Sequence, residues 1–311
     1  PTGAGLGRGT AEQIIQAARS VSIPGMQPIS DPFVEVLHIE TWSDFLYANL
    51  YVGGFYYVLY LVVGGSATAY LAFLEYTNPI PKSPERVASI KKQVKMGLIS
   101  LFSLILYTTI WMWKFDKHTP YYGYWEGREN SFGLWELAKN IIIYMFAFDT
   151  WFVLTHHFLH IDWFMKHVHR HHHVIYCVTQ QFIEPSAFGQ DAVHPFESIL
   201  QGPMGHFVCT FFYPMNPMVM SAVGFLTSIY ALLAHDGRAL DLNDHTKHHW
   251  YRNCNFALYW GFWDYVFGTR YSKKKYPVEY IPSWVLDQRK KEKGDISPGT
   301  ATTAAKSVDK S

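Results

Sequence analysis

The sequence predicts an all-α, integral membrane helical bundle of about four apolar hairpin or spanning segments, capped by a histidine-rich layer. Two observations predict it. Residues 45–74, "FLYANLYVGGFYYVLYLVVGGSATAYLAFL", run thirty residues without a charge, and about 20 apolar residues are enough to cross a bilayer. The sixteen histidines are grouped rather than scattered, and they follow the apolar runs.

The elements follow in order. Residues 1–40 are punctuated by Gly, Ser and Pro and read as a flexible lead-in with a short helix near 10–19. They show no basic start followed by a short apolar core, so no secretory signal peptide is expected there. The main domain is placed at 41–270. Its first helix covers 45–74, with glycines suited to close helix packing. A second spanning run, 96–113, ends in Trp111 and Trp113, placed as interfacial aromatics. A third covers 137–155. A fourth, 206–234, is interrupted by Pro214 and Pro217 and reads as two shorter apolar helices. Residues 271–311 form a polar, basic tail with "KKK" at 273–275 and "RKKEK" at 289–293.

Charge narrows the partners and sets an orientation. The net charge is +1, which gives no reason to expect a nucleic acid or other polyanion. The 75–95 loop carries Lys82, Arg86, Lys91, Lys92 and Lys95 against Glu75 and Glu85, whereas 114–131 is balanced. The positive-inside rule therefore puts the first loop, the histidine clusters and the tail in the cytosol. Cys177, Cys209 and Cys254 form no CxxC pair, so neither a disulfide framework nor a zinc ribbon is indicated.

The chemistry lies in the histidines. His156 and His160 form HxxxH; His169, His172 and His173 form HxxHH; His245, His248 and His249 form a second HxxHH. Residues three and four apart share a helical face, so each histidine box aims its imidazoles together. Eight ligands exceed the needs of one metal and suit two. Imidazole binds iron, zinc, copper and nickel. His194 in "HPFE" and His235 in "HDG" could complete a set of ten. A ligating histidine gives its other N–H to a carboxylate or carbonyl, and Asp149, Glu197 and Asp236 are candidates; Asp149 lies seven residues before His156, on the same face. No catalytic side chain beyond the metal ligands is expected. His38 and His118 read as surface or interfacial residues, His206 as structural, and His157, His167 and His171 as solvent-facing or supporting. The aromatic stripe at 259–267 reads as core or membrane anchor. A metal transporter would carry ionisable groups at mid-depth, whereas these boxes sit at helix ends.

In this order, HxxxH, HxxHH, "HPFE", "HDG" and HxxHH resemble the membrane fatty acid hydroxylase and sterol desaturase superfamily over about residues 45–270. "AVHPFESILQ" (192–201) and "SIYALLAHDG" (228–237) are most similar to its sterol C-5 desaturase (lathosterol oxidase) branch. "NCNFA" is more similar to cholesterol 25-hydroxylase, and "WDYVFGT" to the C-4 methyl oxidases. The first box reads "HHFLH", where the superfamily commonly has Arg after the first His. The resemblance implies an oxidoreductase of the endoplasmic reticulum membrane, a non-haem di-iron oxygenase that uses O2. It places the iron ligands on the eight boxed histidines and, further, on His194 and His235. By the affinity series zinc can displace ferrous iron on purification. The resemblance also implies a role in sterol biosynthesis and lipid metabolism, namely C-5(6) desaturation of a Δ7 sterol. The alternatives are a lipid or sterol hydroxylase, a C-4 methyl oxidase or a squalene-type epoxidase. Electrons would come from cytochrome b5 and its NAD(P)H-dependent reductase; the chain has no Gly-rich dinucleotide fingerprint of its own. The basic tail could meet acidic cytochrome b5 or anionic membrane lipid.

Overall fold

The computed structural model describes residues 39–77, 86–115, 134–173, 186–213, 217–236 and 245–276. The 10–19 helix, His38, His118, Cys177, Pro214 and nearly all of the basic tail lie outside these residues. All regular structure among the described residues is helical.

The first apolar run forms α1, Trp42–Thr77. Its start is a reciprocal cap: the Thr41 N–H donates to the Asp44 carboxylate at 2.8 Å, and the Asp44 N–H to the Thr41 hydroxyl at 3.2 Å. This arrangement satisfies donors that have no partner within the helix. α1 divides cleanly. Leu46, Leu50, Val58, Leu61 and Phe73 face outward, while Ala48, Gly53, Tyr60, Gly64 and Ala67 face protein. An apolar exterior over a small-residue interior is the pattern of a helix in lipid.

α2, Arg86–Ile110, returns antiparallel and ends in a π-helical turn, Trp111–Phe115. Arg86 closes the hairpin on the buried Glu75 at 2.5 Å. Gly97 permits the close approach, because a Cβ there would overlap the Tyr60 hydroxyl. α2 starts earlier than the apolar run 96–113 because its polar first turns have a use. Buried Gln93 accepts from the Ser186 hydroxyl at 2.7 Å, so the helix continues where the chain must hold the 186–201 segment.

α3, Leu134–Leu159, extends beyond 155 and carries the first histidine box on its last turn. The short α4, Asp162–His167, and a 3-10 turn at His169–His171 follow. After a 3-10 turn at Ala187–Gly189 come α5, Pro195–Gln201, and α6, Pro203–Phe207. The fourth apolar run is split as expected, into α6 with the 3-10 turn Val208–Phe211, and then α7, Pro217–Ala234. α8, His245–Tyr251, carries the last box, and α9, Phe262–Val266, is the last helix among the described residues.

Three helices, over Trp42–Thr77, Arg86–Lys114 and Leu137–Leu159, are long and apolar enough to cross a membrane, and Val219–Ala234 is a shorter apolar helix. The chain is thus built as a multi-pass membrane protein. α7 packs against α1 and α3, and α5 against α2 and α3. The end of α1, the start of α2, and the last turns of α3 and α7 share one end of the bundle. The short helices and the histidines gather there.

Candidate metal centre

The histidines separate into two groups. His156, His160, His169, His173 and His248 bring one nitrogen each to within 4.8 Å of one another, and His172, His235, His245 and His249 do the same. The split follows helical spacing in an unexpected way. Each i, i+4 pair stays together: 156 with 160, 169 with 173, 245 with 249. The i+3 member crosses over, His172 to the second group and His248 to the first. Each HxxHH box therefore serves both groups rather than aiming all its rings at one point.

Hydrogen bonding sets the tautomers. The His156 Nδ1–H donates to the Phe256 carbonyl at 3.0 Å, His172 to Gly189 at 3.2 Å, His235 to Ala231 at 2.7 Å and His248 to Cys254 at 2.7 Å. The His169 Nδ1–H donates to Glu197 Oε1 at 2.7 Å, with both side chains buried. Because a carbonyl oxygen only accepts, the proton of each neutral ring is on Nδ1 and a lone pair is on Nε2.

Two of those lone pairs, on His172 and His235, face each other, and two more, on His169 and His248, face His173, whose own ring proton no carbonyl fixes. His172 Nε2 and His235 Nε2 are 3.2 Å apart. His173 Nε2 lies 3.0 Å from His169 Nε2 and 3.1 Å from His248 Nε2. The Nε2 atoms of His156 and His160 and both ring nitrogens of His245 and His249 are buried with no hydrogen-bond partner among the described residues. Buried polar groups left this way are costly. A cation resolves the conflict, since metal–nitrogen bonds of about 2.0–2.1 Å put adjacent ligand atoms about 3 Å apart. The residues present fit two metal ions.

Protonation is suppressed. Burial, together with neighbouring imidazoles, holds His160, His169, His173, His245, His248 and His249 well below the usual imidazole range, and His172 likewise. Burial takes His235 down to about 4 and pushes the Glu197 carboxyl up. Neutral rings are the form that ligates.

Two placements differ from the sequence reading. His194 joins neither group. It precedes Pro195, which forces extended backbone on it, so it becomes the N-cap of α5 with Nδ1 accepting from the Phe196 N–H at 3.1 Å. Asp149 hydrogen-bonds no imidazole among the described residues. Its Oδ1 accepts the N–H groups of Leu258 and Tyr259 at 2.9 and 3.0 Å. It acts two residues from Phe256, whose carbonyl orients His156. Asp236 is buried after His235. His157 stacks on Phe256 at 3.9 Å, His167 bonds its own helix at Trp163, and His206 pairs with the Tyr144 hydroxyl.

Asp264 went unnoticed in the sequence. Its carboxylate accepts Phe256 N–H at 2.8 Å, Ala257 N–H at 3.0 Å and the Thr269 hydroxyl at 2.7 Å. Arg252 and Asn255 adopt positive φ in the same loop. The loop is bent, pinned by two carboxylates and aimed so that Cys254 and Phe256 present their carbonyls to His248 and His156. "NCNFA" followed by "WD" was the visible signal.

Two adjoining cavities approach the centre. The outer, about 360 Å³, is lined mainly by apolar residues of α1, α2 with its π-helical turn, α6 and α7, including Val52, Phe55, Met112 and Phe225. The inner, about 70 Å³, reaches Glu197, Phe152 and Leu232. Tyr56, Leu104, His206 and Ser228 line both.

A multi-pass helical protein with two imidazole clusters, each able to hold a metal ion, at one end of its bundle is the class that fold and site define. Residues 141–269 match the fatty acid hydroxylase family, and all nine grouped histidines lie within that match, so the resemblance carried by the boxes is borne out. Human lathosterol oxidase is 25% identical over 54% of this chain and 58% of its own length. A Δ(7)-sterol 5(6)-desaturase of Leptosphaeria maculans is 25% identical over 58% and 50%. Sphinganine C4-monooxygenase 2 of Arabidopsis thaliana is 32% identical over 28% and 31%. The chain spans about half the length of the two sterol-acting relatives. No solved structure matches significantly.

Proposed function

We propose that the chain is an O2-dependent di-iron sterol oxidase that introduces the C-5(6) double bond into a Δ7 sterol, with electrons from cytochrome b5 and its reductase. The observation that carries this reading is the convergence of nine imidazoles, their nitrogens gathered into two groups, beside an apolar cavity within the bundle. The family match and the names of the sterol-acting relatives support iron and a sterol. Bound iron would supply the oxidising power that side-chain acids and bases lack toward an unactivated C–H bond.

The chain's own residues do the rest. Four carbonyls and Glu197 fix ring orientation. The His172/His235/His245/His249 set would hold one ion, and His156/His160/His169/His173/His248 the other. Glu197 Oε2, buried and without a partner among the described residues, can carry a proton beside the inner cavity. The apolar walls exclude water and receive a lipid sideways from the bilayer. Endoplasmic reticulum residence, with the boxes and C-terminus cytosolic, accords with the basic 75–95 loop at the same end as the histidines.

The test is sterol profiling, by mass spectrometry, of yeast that lacks its own C-5 desaturase and expresses this chain. Appearance of the C5(6) double bond is expected. A product heavier by one oxygen would move the chain to the hydroxylase reading, which the Arabidopsis relative favours. With the protein present and metal-loaded, an unchanged profile would overturn both.

A further inference from the structure

The inner cavity is more polar than an alkyl chain needs. On its wall, Ser198 donates to the Ser100 carbonyl, Thr227 to the Val223 carbonyl, Tyr56 is hydrogen-bonded to Ser228, and Glu197 accepts from His169. Asp191 and Gln201 line the same cavity, and their side chains make no hydrogen bond among the described residues. The Gln201 amide nitrogen is fully buried. A half-buried carboxylate and a buried amide donor, neither side chain hydrogen-bonded among the described residues, thus line one small cavity beside the apolar one. Burial raises the Asp191 carboxyl to about 7, consistent with a group that gains from any donor brought to it.

We propose that Asp191 and Gln201 bind the hydroxyl of a monohydroxylated, otherwise apolar lipid that enters hydroxyl-first, Asp191 accepting its O–H and Gln201 donating to its oxygen. A hydroxyl satisfies both groups. An ammonium has no acceptor for Gln201, and a fatty acid carboxylate is repelled by Asp191. The outer cavity takes the hydrocarbon. Glu197 and Phe152 are on the inner wall, and they contact His169 and, at 5.3 Å between ring centroids, His156. The oxidised carbon therefore lies a few bonds from the hydroxyl rather than out on the tail. The assignment rests on the oxidase reading only for calling this lipid the substrate. Asp191 and Gln201 are specificity-determining residues and are not metal ligands.

The experiment is equilibrium binding to the full chain in nanodiscs, with a fluorescent sterol carrying a free 3β-hydroxyl and with its 3-methyl ether, which accepts but cannot donate. In the wild type the ether is expected to bind roughly 10- to 100-fold more weakly, the usual scale for a buried charge-assisted hydrogen bond. Asp191→Leu removes that difference, Asp191→Asn retains part of it, and Gln201→Leu weakens alcohol and ether alike, all with unchanged metal content. Equal binding of alcohol and ether by the wild type overturns the proposal without need of any variant, and is the result expected if only water fills the cavity. Tighter binding of an alkylammonium lipid overturns it too. Turnover separates the two readings: discrimination without any oxidised product sinks the oxidase while the hydroxyl site stands, and equal oxidation of alcohol and ether does the reverse.

Discussion

At the scale of single residues, what distinguishes these histidines is where their protons are. A ring whose Nδ1–H is committed to a carbonyl is a ligand before any ion arrives. His173→Ala and His245→Ala, one from each group, are each expected to lower bound metal from two equivalents toward one and to cut product formation at least 100-fold, with membrane insertion retained. Elemental analysis of the purified variants checks this, and full metal content in either would contradict the grouping. His194→Ala should keep its metal and lose only a helix cap, about 0.5–2 kcal/mol, read as a small drop in Tm. The contrast shows what was legible in the sequence. Spacing singled out eight of the nine clustered histidines because i, i+3 and i+4 fix direction on a helix. Spacing could not place His194, whose conformation is dictated by Pro195, nor tell that Asp149, on the same face as His156, bonds a loop 109 residues away.

At the scale of elements, the least regular piece has the most to position. Residues 252–259 belong to no helix, yet two of their carbonyls orient ligands from α3 and α8. Asp264→Asn keeps the shape but removes a charge that receives two amide N–H bonds, each worth about 1.5–3 kcal/mol to a charged group. Metal affinity is expected to fall 10- to 100-fold, as for other groups that orient ligands, and titration against a chelator measures it. Gly97→Leu should separate α1 from α2 at Tyr60 and destabilise by about 1–3 kcal/mol, the usual cost of overpacking. Thermal unfolding in detergent reads that loss. The apolar runs were visible as runs, and their true ends were not. α2 begins at Arg86 because Gln93 and Ser186 meet, a long-range fact that hydropathy does not encode.

At the scale of the whole molecule, gathering so many imidazoles in one dry layer ties stability to pH. Eight of them outside the spanning helices are held below the usual range, His235 at about 4. The unfolded chain takes up protons near pH 6.5, while the folded chain does so only further down. Over that interval the unfolded state binds more protons, so stability is full above about pH 6.5 and is lost as pH falls. The two raised carboxyls, Glu197 and Asp191, oppose the trend but are outnumbered. The Tm of chelator-treated protein should drop steadily from pH 7.5 to 5, and a flat profile would show that the rings are not buried neutral. The bundle and the gathering of the histidines were readable from run length and box order. The crossing of each HxxHH between groups was not, because it depends on how α8 meets the 169–173 turn in space.

Four of the five atoms that hold ligand rings in place are main-chain oxygens: those of Phe256, Gly189, Ala231 and Cys254. Replacing a side chain cannot delete a peptide carbonyl. An alanine scan would therefore register Glu197 and pass over the other four, and drift at those positions would cost the centre little as long as the backbone path survived. Proteins sharing only a quarter of their residues with this chain could keep the same imidazole geometry on that basis. The experiment suited to these contacts is replacement of the peptide bond itself by an ester, which weakens one carbonyl at a time and leaves every side chain in place.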